Sequence, residues 1–358
     1  MSNRHSKGLE LTSGFTVRKR GAKIRIPGST SQRNSAQPRR SLNLCGELAR
    51  NRILAGITSH RLRFVICAFV FTTLTLPLAC RHRGDPGPGG AAPQRIVSLS
   101  PGITEILYAI GAFSSLVADT DFCDYPEEAK RLPHVGGFFT INLEAIAALH
   151  PSLVILTRDQ ISLFKDKLDQ MAIPTLAVDN GRVKDVVVSI RALGNATGHQ
   201  REAEKLADSI TARVEERAKQ TSSLPHPKVV CVIDHLPGTL KDIYVASSDS
   251  FIGDLVTASG AECMNFPTQN GYGKIQEEAI VDYNPEILID VIHKTGPETA
   301  PANTAIWRQL PQITAVKDGR VVSIYQPYMV HPSQLLLESL DTLSKIIHPE
   351  VFGPYDQQ

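Results

Sequence analysis

The sequence predicts an α/β fold of two Rossmann-like lobes joined by a single long helix, with a ligand cleft between the lobes. Three observations carry this expectation. Apolar strand-like runs alternate with amphipathic helical stretches from Arg95 onward, the pattern of parallel α/β architecture. Two segments recur in the same order in each half. Between the halves lies one stretch, 200–222, whose Ala203, Leu206, Ala207, Ile210 and Val214 keep helical spacing. At 1.5 Å per residue that helix measures roughly 34 Å, enough to pass from one lobe to the next before Pro225 and Pro227 stop it.

The elements follow in order. A strand at 96–99 runs through Ser100-Pro101-Gly102 into a helix over 103–110, and Pro at a first helical turn suits a helix entry. Strands are expected at 153–156 and 175–178, and helices at 143–148 and 161–171. Val183, Val186, Val187, Ile190 and Leu193 add a further helical face. The second half has strands near 229–234, 287–292 and 321–324, and helices near 251–259 and 333–347. The repeat is explicit: Glu105-Ile-Leu-Tyr-Ala-Ile-Gly-Ala112 resembles Asp254-Leu-Val-Thr-Ala-Ser-Gly-Ala261. Likewise Glu144-Ala-Ile-Ala-Ala-Leu-His-Pro151 resembles Glu278-Ala-Ile-Val-Asp-Tyr-Asn-Pro285. The expected organisation is a basic leader with signal peptide over 1–80, a flexible tether over 81–94, an N-terminal lobe over 95–199, the connecting helix over 200–224 and a C-terminal lobe over 225–358.

Charge separates the leader from the body. Residues 1–63 hold 14 Lys or Arg against Glu10 and Glu47, which leaves 24 basic and 34 acidic residues in the rest. A folded body this acidic argues against nucleic acid as partner, because phosphate binding needs a basic face. The uncharged stretch 64–78 is too short to span a bilayer and fits a signal-peptide core. It ends in Leu78-Ala79-Cys80, which resembles the lipobox of bacterial lipoproteins, although Pro77 departs from the usual leucine. That resemblance implies acylation of Cys80, a lipid anchor and an extracytoplasmic location on the periplasmic face of a bacterial membrane.

Beyond Cys80 the cysteines are Cys123, Cys231 and Cys263, without CxxC spacing or a zinc-like His/Cys pattern. An oxidising compartment permits one disulfide among them. HExxH, GxSxG, P-loop and dinucleotide fingerprints are missing from the sequence, so no enzyme and no catalytic cofactor is expected. His134, His293 and His331 are isolated histidines, and no metal site is expected from them.

The segments Arg95-Ile-Val-Ser-Leu-Ser-Pro-Gly102, Cys123-Asp-Tyr-Pro126, Val135-Gly-Gly-Phe138, Ser248-Asp-Ser-Phe-Ile-Gly-Asp-Leu255, Trp307-Arg-Gln-Leu-Pro311 and His348-Pro-Glu-Val-Phe352 resemble, in that order, the cobalamin and ferric-siderophore type of ABC-transporter substrate-binding protein. The resemblance covers 95–352. It implies capture of a bulky small molecule, cobalamin or a ferric chelate, as transported ligand and its delivery to an ABC permease in the cytoplasmic membrane. It also implies an exposed acid on each lobe that docks on the permease, and the matching positions are Glu144 and Glu278.

In such a fold the ligand sits where loops of both lobes face each other. The loops are 100–103, 121–125, 136–140, 158–160, 247–251, 270–274 and 325–331, with His293. Their candidate binding residues are Pro101, Gly102, Asp121, Tyr125, Gly137, Phe138, Phe139, Arg158, Ser248, Phe251, Tyr272 and Tyr328, with the aromatic rings as walls for a flat macrocycle. Arg158 and Lys274 face Asp121, Asp124, Asp159 and Asp249 in these loops, a balance that favours a less anionic ligand such as cobalamin over a ferric catecholate. Haem and siderophores remain alternatives, as do a ligand-sensing receptor and a chelatase-like enzyme of the same bilobal design.

Overall fold

The computed structural model describes residues 94–268, 270–292 and 297–356. The basic leader, Cys80, the tether up to residue 93 and His293 lie outside the described residues. Among the described residues no helix is long and apolar enough to cross a membrane.

The first lobe is a four-stranded parallel sheet of β1 (Ile96–Ser98), β2 (Leu116–Ala118), β3 (Leu153–Thr157) and β4 (Thr175–Val178) in the order β2-β1-β3-β4. The second has β5 (Lys228–Asp234), β6 (Ile243–Ala246), β7 (Glu262–Cys263), β8 (Tyr272–Ile275), β9 (Ile287–Val291) and β10 (Val321–Ile324), ordered β10-β9-β5-β6-β8 with β7 also on β5. The central strands are buried on both faces, and so β5 and β9 read as continuous apolar runs.

One strand departs from the parallel series the sequence suggests. β6 pairs antiparallel with β5 and with β8. Neither β6 nor β8 announces itself, because Tyr244, Gly273 and Lys274 break the apolar runs of these four-residue strands. The reversal places residues 247–251 and 270–272 toward the amino end of β5, whereas Ile292 and the residues following β10 lie toward its carboxyl end.

The repeat is structural to the residue. Gly111 and Gly260 both adopt positive φ, 84° and 81°, and end equivalent helices. Ala112 N–H then donates to the Leu107 carbonyl and Ala261 N–H to that of Val256, the matching pair. His150 and Asn284, each preceding the repeated proline, likewise share φ of 46° and 51°.

The helices Val183–Thr197 and Gln200–Thr221 fold back on each other at Gly198. A Cβ at Gly194 would lie 2.3 Å from the Ala203 Cβ, so only glycine permits this approach. The longer helix is then held to the second lobe by Arg217, which donates to Asp341 Oδ1 at 2.6 Å and stacks 4.5 Å over Phe352. A single buried apolar cluster runs through both lobes, from Ile103, Ile106 and Ile190 to Ile252, Leu255 and Leu336. Three helices differ from expectation: the one expected at 103–110 spans Pro101–Ala109, the one expected at 161–171 opens at Arg158 and passes through a π turn over Ile161–Lys165, and the one expected near 333–347 begins at Leu336. Cys123, Cys231 and Cys263 are free buried thiols rather than a disulfide pair. Burial pushes the Cys123 thiol up to about 11 and that of Cys263 up to about 12, which keeps them inert.

Candidate functional site

Because β2, β1, β3 and β4 are parallel neighbours, their carboxyl ends bring Asp121, Ser100, Arg158 and Asp179 to one edge of the first lobe. One side chain organises that edge. Gln160 is fully buried, and its Nε2 donates to the carbonyls of Leu99 at 2.8 Å and Phe138 at 2.9 Å while Oε1 accepts from Thr157 N–H at 3.0 Å. It ties the ends of β1 and β3 to the glycine turn. The π turn follows it directly, a distortion frequent at functional sites.

The turn itself is fixed by geometry. Gly136 has φ of 105°, and a Cβ there would meet the Thr140 carbonyl oxygen at 2.3 Å. Gly137 is buried against the Phe122 ring. Phe138 and Phe139 stand edge to face with centroids 4.7 Å apart, and Phe139 is 65% exposed. Phe122, 57% exposed, joins them as a third ring. An exposed aromatic group of this kind is uncommon outside binding surfaces. Sequence reasoning singled out neither Phe122 nor Gln160 as a site residue, although Gln160 closes the loop 158–160 that it placed at the cleft. Phe122 lies inside a loop it did identify; the bonds of Gln160 join segments 22 and 61 residues away and leave no local signal.

The other candidates divide. Asp121 is exposed beside Phe122, and Arg158 pairs with Asp179 at 2.6 Å. Tyr125 is 44% exposed and meets Tyr108 edge to face at 5.7 Å. At this seam between the lobes, partial burial, followed by Tyr108, Glu105 and Glu338, pushes its phenol up. Pro101 and Gly102 are buried in that seam rather than open to a ligand. A Cβ on Gly102 would lie 2.9 Å from the Pro332 carbonyl oxygen, and the cavity left beside it is only about 10 Å³.

From the second lobe, Ser248 is half-buried with its N–H donating to the Met264 carbonyl. Phe251 corrects the expectation of a ligand wall: it is 2% exposed, a core residue whose ring backs Tyr272 at 6.3 Å. Tyr272 is half-buried, and among the described residues its hydroxyl has no partner. Burial drives that phenol well above its usual value. Nearby Asn270 Nδ2 donates to Asp159 Oδ1 at 2.6 Å across the lobes. Lys274 pairs with Asp242. Tyr328 is half-buried and its hydroxyl engages Thr342 at 3.1 Å, so it is turned to the helix Leu336–Ile347. Glu144 and Glu278 are exposed in the first turns of Leu143–Ala148 and Glu277–Tyr283, where the helix dipole favours an acid. Asn142 caps the first of these by accepting from Ala145 N–H.

Histidines are held by carboxylates. His134 Nδ1 donates to Asp119 Oδ1 at 2.7 Å, and His331 Nδ1 to Glu105 Oε1 at 2.7 Å. In the second lobe both ring nitrogens of His235 face oxygens, those of Asp290 and the Leu236 carbonyl, and Trp307 donates to the same buried Asp290 at 3.0 Å. Burial depresses the His235 imidazolium, yet Asp290, Leu236 and Asp234 outweigh it and raise the pKa. No group of three or more His, Cys, Asp or Glu that could hold a metal ion occurs among the described residues.

Asp119 supplies a pH dependence. It is fully buried with Oδ2 unpaired among the described residues, and burial raises its pKa from 3.8 to about 6 against the opposing pull of His134. The folded state binds this proton more tightly than the unfolded chain. Its contribution is therefore complete below about pH 4 and is lost as pH rises through about 6, by roughly 3 kcal/mol. Urea unfolding at pH 4 and pH 8 checks this: Asp119→Asn is expected to gain stability over the parent at pH 8 and little at pH 4.

Comparison with known proteins agrees with this architecture. The family profile described as "Periplasmic binding protein" matches residues 96–328. Among curated relatives, an ABC transporter substrate-binding lipoprotein of Bacillus subtilis (strain 168) is 28% identical over 269 residues, 73% of this chain and 82% of that protein. A vitamin B12-binding protein of Pectobacterium atrosepticum is 30% identical over 230 residues, 63% of this chain and 79% of that protein. Among solved structures, the periplasmic vitamin B12 binding protein of Vibrio cholerae superposes with a TM-score of 0.62 at 21% identity, over 72% of this chain and 97% of that one. A periplasmic heme binding protein from Pseudomonas aeruginosa gives 0.63 at 23% identity, over 72% and 94%. A two-lobed α/β body, a matching profile across most of it and relatives aligned over most of their own length make the chain a member of the periplasmic binding protein family.

Proposed function

We propose that the protein is the substrate-binding component of an ABC importer and that its ligand is a corrinoid, taken up between the aromatic rim of the first lobe and the Asn270–Tyr272 side of the second. The observation that supports this reading is the pairing of the cleft cations. Arg158 at the rim of the first lobe is held by Asp179, and Lys274, farther along β8 than the Asn270–Tyr272 side, by Asp242, so the loops offer rings and amides to a bulky ligand of low charge. An anionic ferric catecholate would have to compete with both carboxylates. Phe122, Phe138 and Phe139 supply the apolar faces such a ligand needs. Cys80 would carry the lipid anchor that keeps the body at the membrane, and Glu144 and Glu278 would dock the permease.

Calorimetric titration with aquocobalamin, dicyanocobinamide, haem and a ferric catecholate tests the reading. The two corrinoids are expected to bind at micromolar or tighter dissociation constants, the catecholate at least tenfold more weakly; heat from the catecholate alone would reverse the assignment. Trp307 is a poor optical reporter of this event, being fully buried against Asp290 in the second lobe. Haem has one observation in its favour. Asp119 orients His134 through Nδ1, the arrangement that readies the opposite ring nitrogen for a metal, and that side chain is 35% exposed. A haem complex whose absorbance bands change in His134→Ala would support it.

A further inference from the structure

The two copies of the internal repeat place an acid at the same position, Glu105 in the first lobe and Asp254 in the second. Both acids reach across to the opposite lobe. Glu105, 1% exposed, accepts from His331 Nδ1 at 2.7 Å and from the Ser333 hydroxyl. Asp254 accepts from Arg182 through both oxygens, Nε at 2.9 Å and Nη2, and its Oδ2 also takes the Val183 N–H at 2.9 Å. Arg182 lies immediately before the helix Val183–Thr197, and 331–333 on the approach to the helix Leu336–Ile347, so each acid grips the segment that leads into a helix of the other lobe. Between His331 and Ser333, the Pro332 carbonyl rests on Gly102, one turn ahead of Glu105, at a spacing no side chain would allow.

We infer that Glu105 and Asp254 form a pseudo-symmetric interlobe clasp that positions the two walls of the ligand cleft at their ligand-bound spacing before the ligand arrives. The physical case rests on two features. Each contact is a charge-assisted hydrogen-bond pair made by a carboxylate that is buried or partly buried, where such bonds are strongest. Two contacts related by the repeat constrain rotation as well as separation, and add directional bonds to the non-directional apolar cluster and the connecting helix that the lobes share. A cleft already at its bound spacing pays no conformational penalty on binding; unclasped lobes populate the competent spacing only part of the time, and apparent affinity falls by that fraction. Glu105 and Asp254 are thus positioning residues for the ligand, a role that rests on the proposed cleft. The clasp itself does not depend on ligand identity.

The test is small-angle scattering and ligand affinity on the full-length protein and on Glu105→Ala/Asp254→Ala, with Glu105→Gln and Asp254→Asn measured singly should the double variant not fold. The parent is expected to scatter identically with and without dicyanocobinamide. The double variant should be expanded when free, contract to the parent profile when dicyanocobinamide is added, and bind about tenfold more weakly; the single variants should show the same changes to a smaller degree. A general loss of stability would lower the melting temperature without creating a ligand-dependent contraction. Identical free-state scattering of variants and parent overturns the clasp, as does contraction of the parent on ligand addition. If the parent binds none of the corrinoids, the ligand reading fails, while the free-state comparison still decides the clasp.

Discussion

Reversing Glu144 and Glu278 together to lysine is expected to abolish uptake while leaving the dissociation constant for the ligand within about twofold of the parent. Both side chains are exposed on short helices of different lobes, and among the described residues neither carboxylate has a hydrogen-bond or ion-pair partner. Their removal therefore costs the fold little beyond the helix-dipole contribution, a few tenths of a kcal/mol up to about 1 kcal/mol each. Docking is another matter. A charge pair that becomes buried on association loses roughly 2 to 5 kcal/mol when one partner is truncated, and reversal adds repulsion. Two such losses take the complex beyond any useful occupancy. Uptake of labelled ligand into cells or proteoliposomes, run beside calorimetry on the isolated protein, separates the two effects. Normal uptake by the double reversal would remove both residues from the docking proposal, and a collapse of ligand affinity would show instead that they shape the cleft.

The second large effect is expected from Gln160→Met, a substitution of similar volume that deletes three buried hydrogen bonds. The Leu99 and Phe138 carbonyls and the Thr157 N–H lose their partner in the interior, each at roughly 1 to 3 kcal/mol, so the turn carrying Phe138 and Phe139 is released to find water. Amide exchange over residues 137–142 should accelerate by tenfold or more while β5 and β9 stay protected. Ligand affinity should fall at least tenfold. Phe139→Ala alone should also weaken binding, and adding it to Gln160→Met should cost little further, because the ring is already misplaced. Additive losses would mean that Gln160 supports the lobe in general and not the aromatic rim.

Much of this protein was legible in its residue order. Periodicity gave β4 at 175–178, β10 at 321–324 and the helix at 143–148 to the residue, since an apolar run bounded by polar or proline residues has one local solution. The repeat was equally visible, and the structure adds that its Gly111 and Gly260 end their helices alike. Aromatic content in loops pointed to Phe138 and Phe139, on a turn that Gly136 and Gly137 mark locally, whereas the Gln160 bond that holds this turn comes from 22 residues along the chain.

Other features required the tertiary structure because they depend on what a residue meets far along the chain. Phe251 has the composition of a cleft aromatic, but β6 runs against β5 and delivers it into the core. Arg158 and Lys274 looked like free cations until folding set Asp179 and Asp242 beside them. The matching acids of the repeat announced a duplication and nothing about their use. Glu105 meets His331 across 226 residues and Asp254 meets Arg182 across 72, contacts that exist only once two lobes have packed. The sequence by itself determined the lobes, their repeat and the connecting helix, because short-range periodicity and turn chemistry specify them. Only the tertiary structure decided which side chains are buried, which are exposed and which pair across the two lobes, because burial and pairing are properties of the packed chain.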